Sequence, residues 1–125
     1  MNKFWINSAL ILMIIGLTSC RGENENSLAA AKTFMKSLAE KDVQLNTKIN
    51  HSDEYDTDKV MTIAQKMYVI GQKLGDFTFE AAKNNPNEVH VFWYDPKGNR
   101  YGLDLIFIKE QDGQYYFSNI SAGKA

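Results

Sequence analysis

The sequence predicts an α+β domain in which two N-terminal helices pack on a four-stranded antiparallel meander. Three observations predict it. Apolar residues recur at three- and four-residue spacing in the first half of the chain. In the second half they alternate with polar ones, and short segments rich in Asn, Asp, Pro and Gly divide that half into four runs.

Ser27 is placed to cap a first helix over residues 27–41, with Leu28, Ala31, Phe34, Met35 and Leu38 on one face. Residues 43–49 are ambiguous and allow a short helical turn. A second helix is expected over residues 58–74, with Val60, Ile63, Ala64, Met67, Ile70 and Leu74 on its buried face. Lys73 falls in its last turn and Gly75 is placed to end it. The period then changes to that of strands: Phe77, Phe79 and Ala81; Val89, Val91 and Trp93; Tyr101, Leu103, Leu105 and Phe107; Tyr115 and Phe117. The separators Asn84-Asn85-Pro86-Asn87, Asp95-Pro96-Lys97-Gly98 and Gln111-Asp112-Gly113 all carry turn chemistry.

Register follows from hydrophobic alternation, because a slip of one residue sends every side chain to the other face. A two-residue turn at Asp112-Gly113 would set Phe107 opposite Ser118 and split the apolar set. A three-residue loop sets Phe107 opposite Phe117, with Gly113 left-handed. The same loop at Pro96-Lys97-Gly98 sets Trp93 opposite Tyr101 and Val91 opposite Leu103. The inner face then holds Val89, Val91, Trp93, Tyr101, Leu103, Leu105, Phe107, Tyr115 and Phe117, which the helices must cover.

Composition narrows the function classes. Hydrophobic content of 44% and aromatic content of 12% belong to a folded domain, and 125 residues make one domain. A formal net charge of −1 without a basic cluster argues against nucleic acid as a partner. No P-loop, dinucleotide fingerprint, metal-spaced Cys/His set or nucleophile elbow is present in the sequence, so no cofactor is expected.

The single cysteine, Cys20, ends the run Leu17-Thr18-Ser19-Cys20. Ahead of it lie a short polar start with one cation, Lys3, and an apolar run over residues 9–17. This is the layout of a signal peptide with a small-residue cleavage site. Residues 4–17 are shorter than the ~18–20 apolar residues a membrane span needs, and Asn7 and Ser8 interrupt them. The tetrad resembles the lipobox of bacterial lipoproteins. That resemblance implies removal of residues 1–19, acylation of Cys20, and a cell-envelope protein held to a membrane by lipid. In a Gram-negative cell the periplasmic side of the outer membrane is implied, since Arg21 is not the aspartate tied to inner-membrane retention in some enteric bacteria. Residues 20–26 would be the lipidated cysteine and a polar tether, and residues 27–125 the domain. A cysteine consumed by lipid leaves none for disulfides, so the core alone must hold the fold.

Two helices followed by a bent antiparallel sheet resemble the cystatin-like and nuclear-transport-factor-2-like superfamily, in the compact form found in lumazine-binding-like lipoproteins. The final run Asp112-Gly113-Gln114-Tyr115-Tyr116-Phe117-Ser118-Asn119-Ile120 is similar to the last strand of those domains. That superfamily hosts isomerases, carriers and interaction modules alike, so the resemblance implies a fold and leaves the function open.

Four groups of residues are candidates for function. The register sets His90 opposite Asp104, and a five-residue first connection sets Glu80 opposite His90. The resulting row, Glu80–His90–Asp104, is either a general-base arrangement or a cross-strand charge ladder. The acidic run His51-Ser52-Asp53-Glu54-Tyr55-Asp56-Thr57-Asp58 offers alternating oxygens but lacks the glycine and distal glutamate of a calcium loop. Its acids suit a helix N-terminus, and no metal is expected there. Phe92, Tyr94, Ile106, Ile108 and Tyr116 fall on the outward face, where an apolar surface usually marks an interface. Tyr68, Trp93 and Tyr101 could line a pocket between helices and sheet. The expected role is a membrane-tethered, non-catalytic module binding a protein partner or its own copy. The alternatives are a small-ligand carrier and a small hydrolase or isomerase using His90 with Asp104.

Overall fold

A computed structural model describes residues 24–121 as one α+β unit. Three helices precede the sheet: α1 (Ser27–Ala39), α2 (Val43–Ile49) and α3 (Thr57–Lys66). A single 3-10 turn (Leu74–Asp76) leads into β1 (Thr78–Ala81), β2 (Glu88–Tyr94), β3 (Arg100–Lys109) and β4 (Tyr115–Ile120). The four strands form one antiparallel sheet in sequence order, a meander.

Each helix begins with a side-chain oxygen taking up a free N–H. Asn26 accepts from Ala29, Asp42 from Leu45 and Asp56 from Lys59. The cap of α1 is thus Asn26. Ser27, expected in that role, donates its hydroxyl to the Pro86 carbonyl at 2.7 Å and ties the helix to the first hairpin connection. Residues 43–49 are a full helix, so the described residues hold three helices where two were expected.

α1 and α3 both end earlier than the apolar period suggests, and by the same device. Lys41 N–H bonds to Leu38 C=O and Asp42 N–H to Ser37 C=O, with Lys41 left-handed at φ 54°. Tyr68 N–H bonds to Gln65 C=O and Val69 N–H to Ala64 C=O, with Tyr68 at φ 60°. These are Schellman endings with a non-glycine at the left-handed position. The chain leaves α3 at Met67, yet Val69 still reaches the core and is fully buried.

The sheet register is the one the alternation requires. Trp93 pairs with Tyr101, Val91 with Leu103 and Phe107 with Phe117. Both later hairpins close through three-residue loops, with Gly98 at φ 88° and Gly113 at φ 82°. One irregularity was not foreseen. The β3–β4 register shifts between Ile106 and Phe107, leaving Ser118 as an extra residue that lets Ile120 join Phe117 on the inner face.

Val89, Val91, Trp93, Leu105, Phe107 and Phe117 are buried against Phe34, Met35 and Leu38 of α1 and Val60 and Ala64 of α3. Tyr101, Leu103 and Tyr115 pack at the margin of this cluster. The Phe34 ring stacks on Phe117 at 4.1 Å and meets Phe107 edge-on at 6.2 Å. Trp93 lies edge-on to Phe77, stacks beside Tyr101, and donates its indole N–H to the Met67 carbonyl at the end of α3 at 2.7 Å. The domain starts before α1: Asn24 is buried, and its carbonyl accepts from Tyr115 N–H at 2.8 Å. The expected tether through residue 26 therefore yields to folded structure by Asn24. Residues 1–19 and Cys20 lie outside the described residues.

Candidate functional site

Helix side chains cover one face of the sheet. The other carries Glu88, His90, Phe92 and Tyr94 from β2, Gly102, Asp104, Ile106 and Ile108 from β3, and Tyr116 from β4, by simple alternation. None of these belongs to the hydrophobic core cluster.

At the centre of this face His90 sits opposite Asp104, and Glu80 stands opposite His90 from β1. His90 Nδ1 lies 2.5 Å from Asp104 Oδ1. The carboxylate that approaches the same nitrogen from a second side is Glu88, at 3.8 Å, whereas Glu80 is exposed. Side-chain exposure is 7% at Asp104, 19% at Glu88 and 31% at His90. Among the described residues these three are the only set of His, Cys, Asp or Glu groups placed to share one metal ion, with donor atoms all within 4.8 Å of one another. The sequence could have yielded Glu88, since Glu88 and His90 are two apart and share a face.

The expected outward aromatics are less bare than alternation alone implies. Phe92 lies over Gly102, and a Cβ at residue 102 would come within 3.0 Å of the ring. The Arg100 guanidinium stacks over the same ring at 4.2 Å. Tyr116 is covered by His51, ring on ring at 3.9 Å, and donates its hydroxyl to Asp112. That bond holds the Asp112 carboxyl below its ordinary value and pushes the Tyr116 hydroxyl above its own. His51 in turn meets Glu110 at 3.0 Å. Ile106 and Ile108 are half-buried, and Tyr94 is 58% exposed at the far end of the sheet.

Tyr68, Trp93 and Tyr101 form a packed aromatic series, with Tyr68 and Tyr101 5.6 Å apart and Trp93 1% exposed. The space that opens beside them is a surface groove of about 480 Å³ between Tyr68, Gln72, Tyr94 and Asp95. Gln72 spans its floor, donating to the carbonyls of Tyr68 and Tyr94 at 3.0 and 2.9 Å. Burial alone would raise the Asp95 carboxyl, but donors from Asn99 and Lys97 hold it below its ordinary value. The Tyr101 hydroxyl is raised by burial and by the nearby Asp95.

The acidic run does not gather into a cluster. Asp56 caps α3, Asp58 sits in its first turn, and the Glu54 carbonyl accepts from Lys59. The site so defined is a histidine–carboxylate cluster on the face of the sheet opposite the described helices. Compared with known proteins, the chain matches no family model, no curated protein and no solved structure.

Proposed function

We propose that the protein is a lipid-anchored, non-catalytic binding module of the bacterial cell envelope, with a compact cystatin-like or nuclear-transport-factor-2-like domain. The anchor is the Cys20 thiol, supported by the apolar leader and the Leu17-Thr18-Ser19-Cys20 run. Among the described residues no helix is long and apolar enough to cross a membrane. Only three residues separate Cys20 from Asn24, and four extended steps reach about 14 Å. Asn24 is bonded to the start of β4, so the end of the domain carrying the β1–β2 and β3–β4 connections would stand close to the lipid.

The observation that carries the binding role is the one-sided cover of the sheet. Phe92, Ile106, Ile108 and Tyr116 lie half-buried on a face that none of the described helices crosses. A protein partner, a second copy of the chain included, would complete their burial, and interface energy concentrates in a few such side chains. The carrier reading finds Trp93 and Tyr101 stacked where its pocket would be. The hydrolase reading retains the His90–Asp104 pair and has no further group in support.

The test replaces Phe92 and Ile108 together with threonine, which keeps strand propensity. Sedimentation and crosslinking of the detergent-solubilised full chain should show association weakened by about tenfold or more, at ~1.4 kcal/mol per tenfold. Thermal unfolding should change little. Unchanged association together with a collapsed melting temperature would make both residues part of the core and remove the interface.

A further inference from the structure

We propose that Glu88, His90 and Asp104 form a binding site for a divalent transition-metal ion, zinc foremost, on the face of the sheet opposite the described helices. The inference does not depend on the lipid anchor or on a docking partner. It rests on three features of the same place in the molecule.

The first is geometry. Glu88 and His90 are alternate residues of β2, and Asp104 is the direct partner of His90 on β3. All three stand on the paired central strands, so backbone pairing rather than a loop sets their spacing. One donor atom from each lies within 4.8 Å of the others. Zinc bonds of about 2.0–2.2 Å to nitrogen and oxygen can be reached from there by small side-chain rotations, without moving the strands. Water would complete the coordination, as at other zinc sites with three protein ligands.

The second is charge. Asp104 is 6% exposed, and a buried carboxylate requires compensation. Among the described residues no lysine or arginine pairs with it or with Glu88; their ionic partner is His90 alone. A divalent cation held by the two carboxylates supplies that compensation in full, two positive charges for two negative ones.

The third is surroundings and donor type. Phe92 flanks His90 along β2, and Ile106 stands opposite Glu88. An apolar rim of this kind excludes water and strengthens attraction between cation and carboxylate. One imidazole nitrogen with carboxylate oxygens suits zinc and its neighbours better than calcium or magnesium, which prefer oxygen alone.

The experiment is zinc titration of the untagged full chain in detergent, after removal of bound metal with a chelator, by calorimetry. One zinc per chain is expected, and cobalt in place of zinc should give a visible ligand-field band. His90→Gln and Glu88→Gln should each weaken binding by about tenfold or more, the scale at which even outer-shell partners act. His51→Gln should leave it unchanged. Circular dichroism of the metal-free variants checks folding, and the partly exposed Glu88 keeps the test valid if His90→Gln does not fold. Absence of zinc uptake by the wild type, wild-type affinity in folded Glu88→Gln, or loss only in His51→Gln would overturn the site.

Discussion

Trp93 joins three parts of the core through one side chain. Its ring meets Phe77 and Tyr101, and its N–H occupies the Met67 carbonyl, one of the acceptors that the end of α3 leaves without an intrahelical partner. Trp93→Ala therefore removes a large buried ring and also orphans that carbonyl. A loss of ~3–5 kcal/mol is expected, read as a lowered denaturant midpoint at unchanged slope. Lys41 offers the opposite case. It is exposed and held left-handed at φ 54°, where a side chain is disfavoured. Lys41→Gly should raise stability by about 0.5–1 kcal/mol in the same measurement, since glycine is the usual residue there. The equivalent change at Tyr68 would not report strain alone, because Tyr68 also contacts Tyr101.

At the scale of the element, the hairpins were the most legible part of the chain. Their registers follow from two independent constraints, apolar alternation and a glycine that must be left-handed, and these agree at Gly98 and at Gly113. The ends of α1 and α3 were not legible, because glycine is the usual left-handed residue at a helix end and the chain uses Lys41 and Tyr68 there. The bulge at Ser118 was missed for a related reason: alternation stops informing once the last strong apolar residue, Phe117, is passed. The cover over Tyr116 comes from His51, which lies far from it in sequence, and no local pattern could place it. The β3–β4 hairpin carries a pH signature. The Asp112 carboxyl is held low by the Tyr116 hydroxyl, so its contribution is present above about pH 4 and fades as pH falls below its folded value. The Tyr116 hydroxyl is held high, so its contribution is present up to about pH 10 and fades as pH rises through its folded value. Asp112→Asn should flatten both limbs of a melting-temperature profile. An unchanged profile would mean that the pair contributes nothing to folding.

For the whole molecule, the acid–base row was legible only in part. Cross-strand pairing gave His90 and Asp104, but the third carboxylate near the ring comes from the same strand, at Glu88, rather than from β1 at Glu80. Pairing rules describe neighbours across strands, whereas side chains two apart along a strand also meet. The proposed anchor belongs to this scale as well. With Cys20→Ser the protein should leave the detergent-extracted membrane fraction or accumulate with its leader uncleaved, by fractionation and mass spectrometry. Wild-type partitioning of that variant would end the lipid-anchor reading.

The tie between Trp93 and Met67 has an optical consequence. The chain has two tryptophans, and Trp5 lies in residues 1–19. If residues 1–19 are cleaved as proposed, a single indole remains, 1% exposed and hydrogen-bonded within the aromatic core. Its emission should lie at short wavelength in the folded protein and move to long wavelength when α3 parts from the sheet. A chain so processed would contain its own fluorophore, able to report unfolding on a lipid vesicle without any attached label.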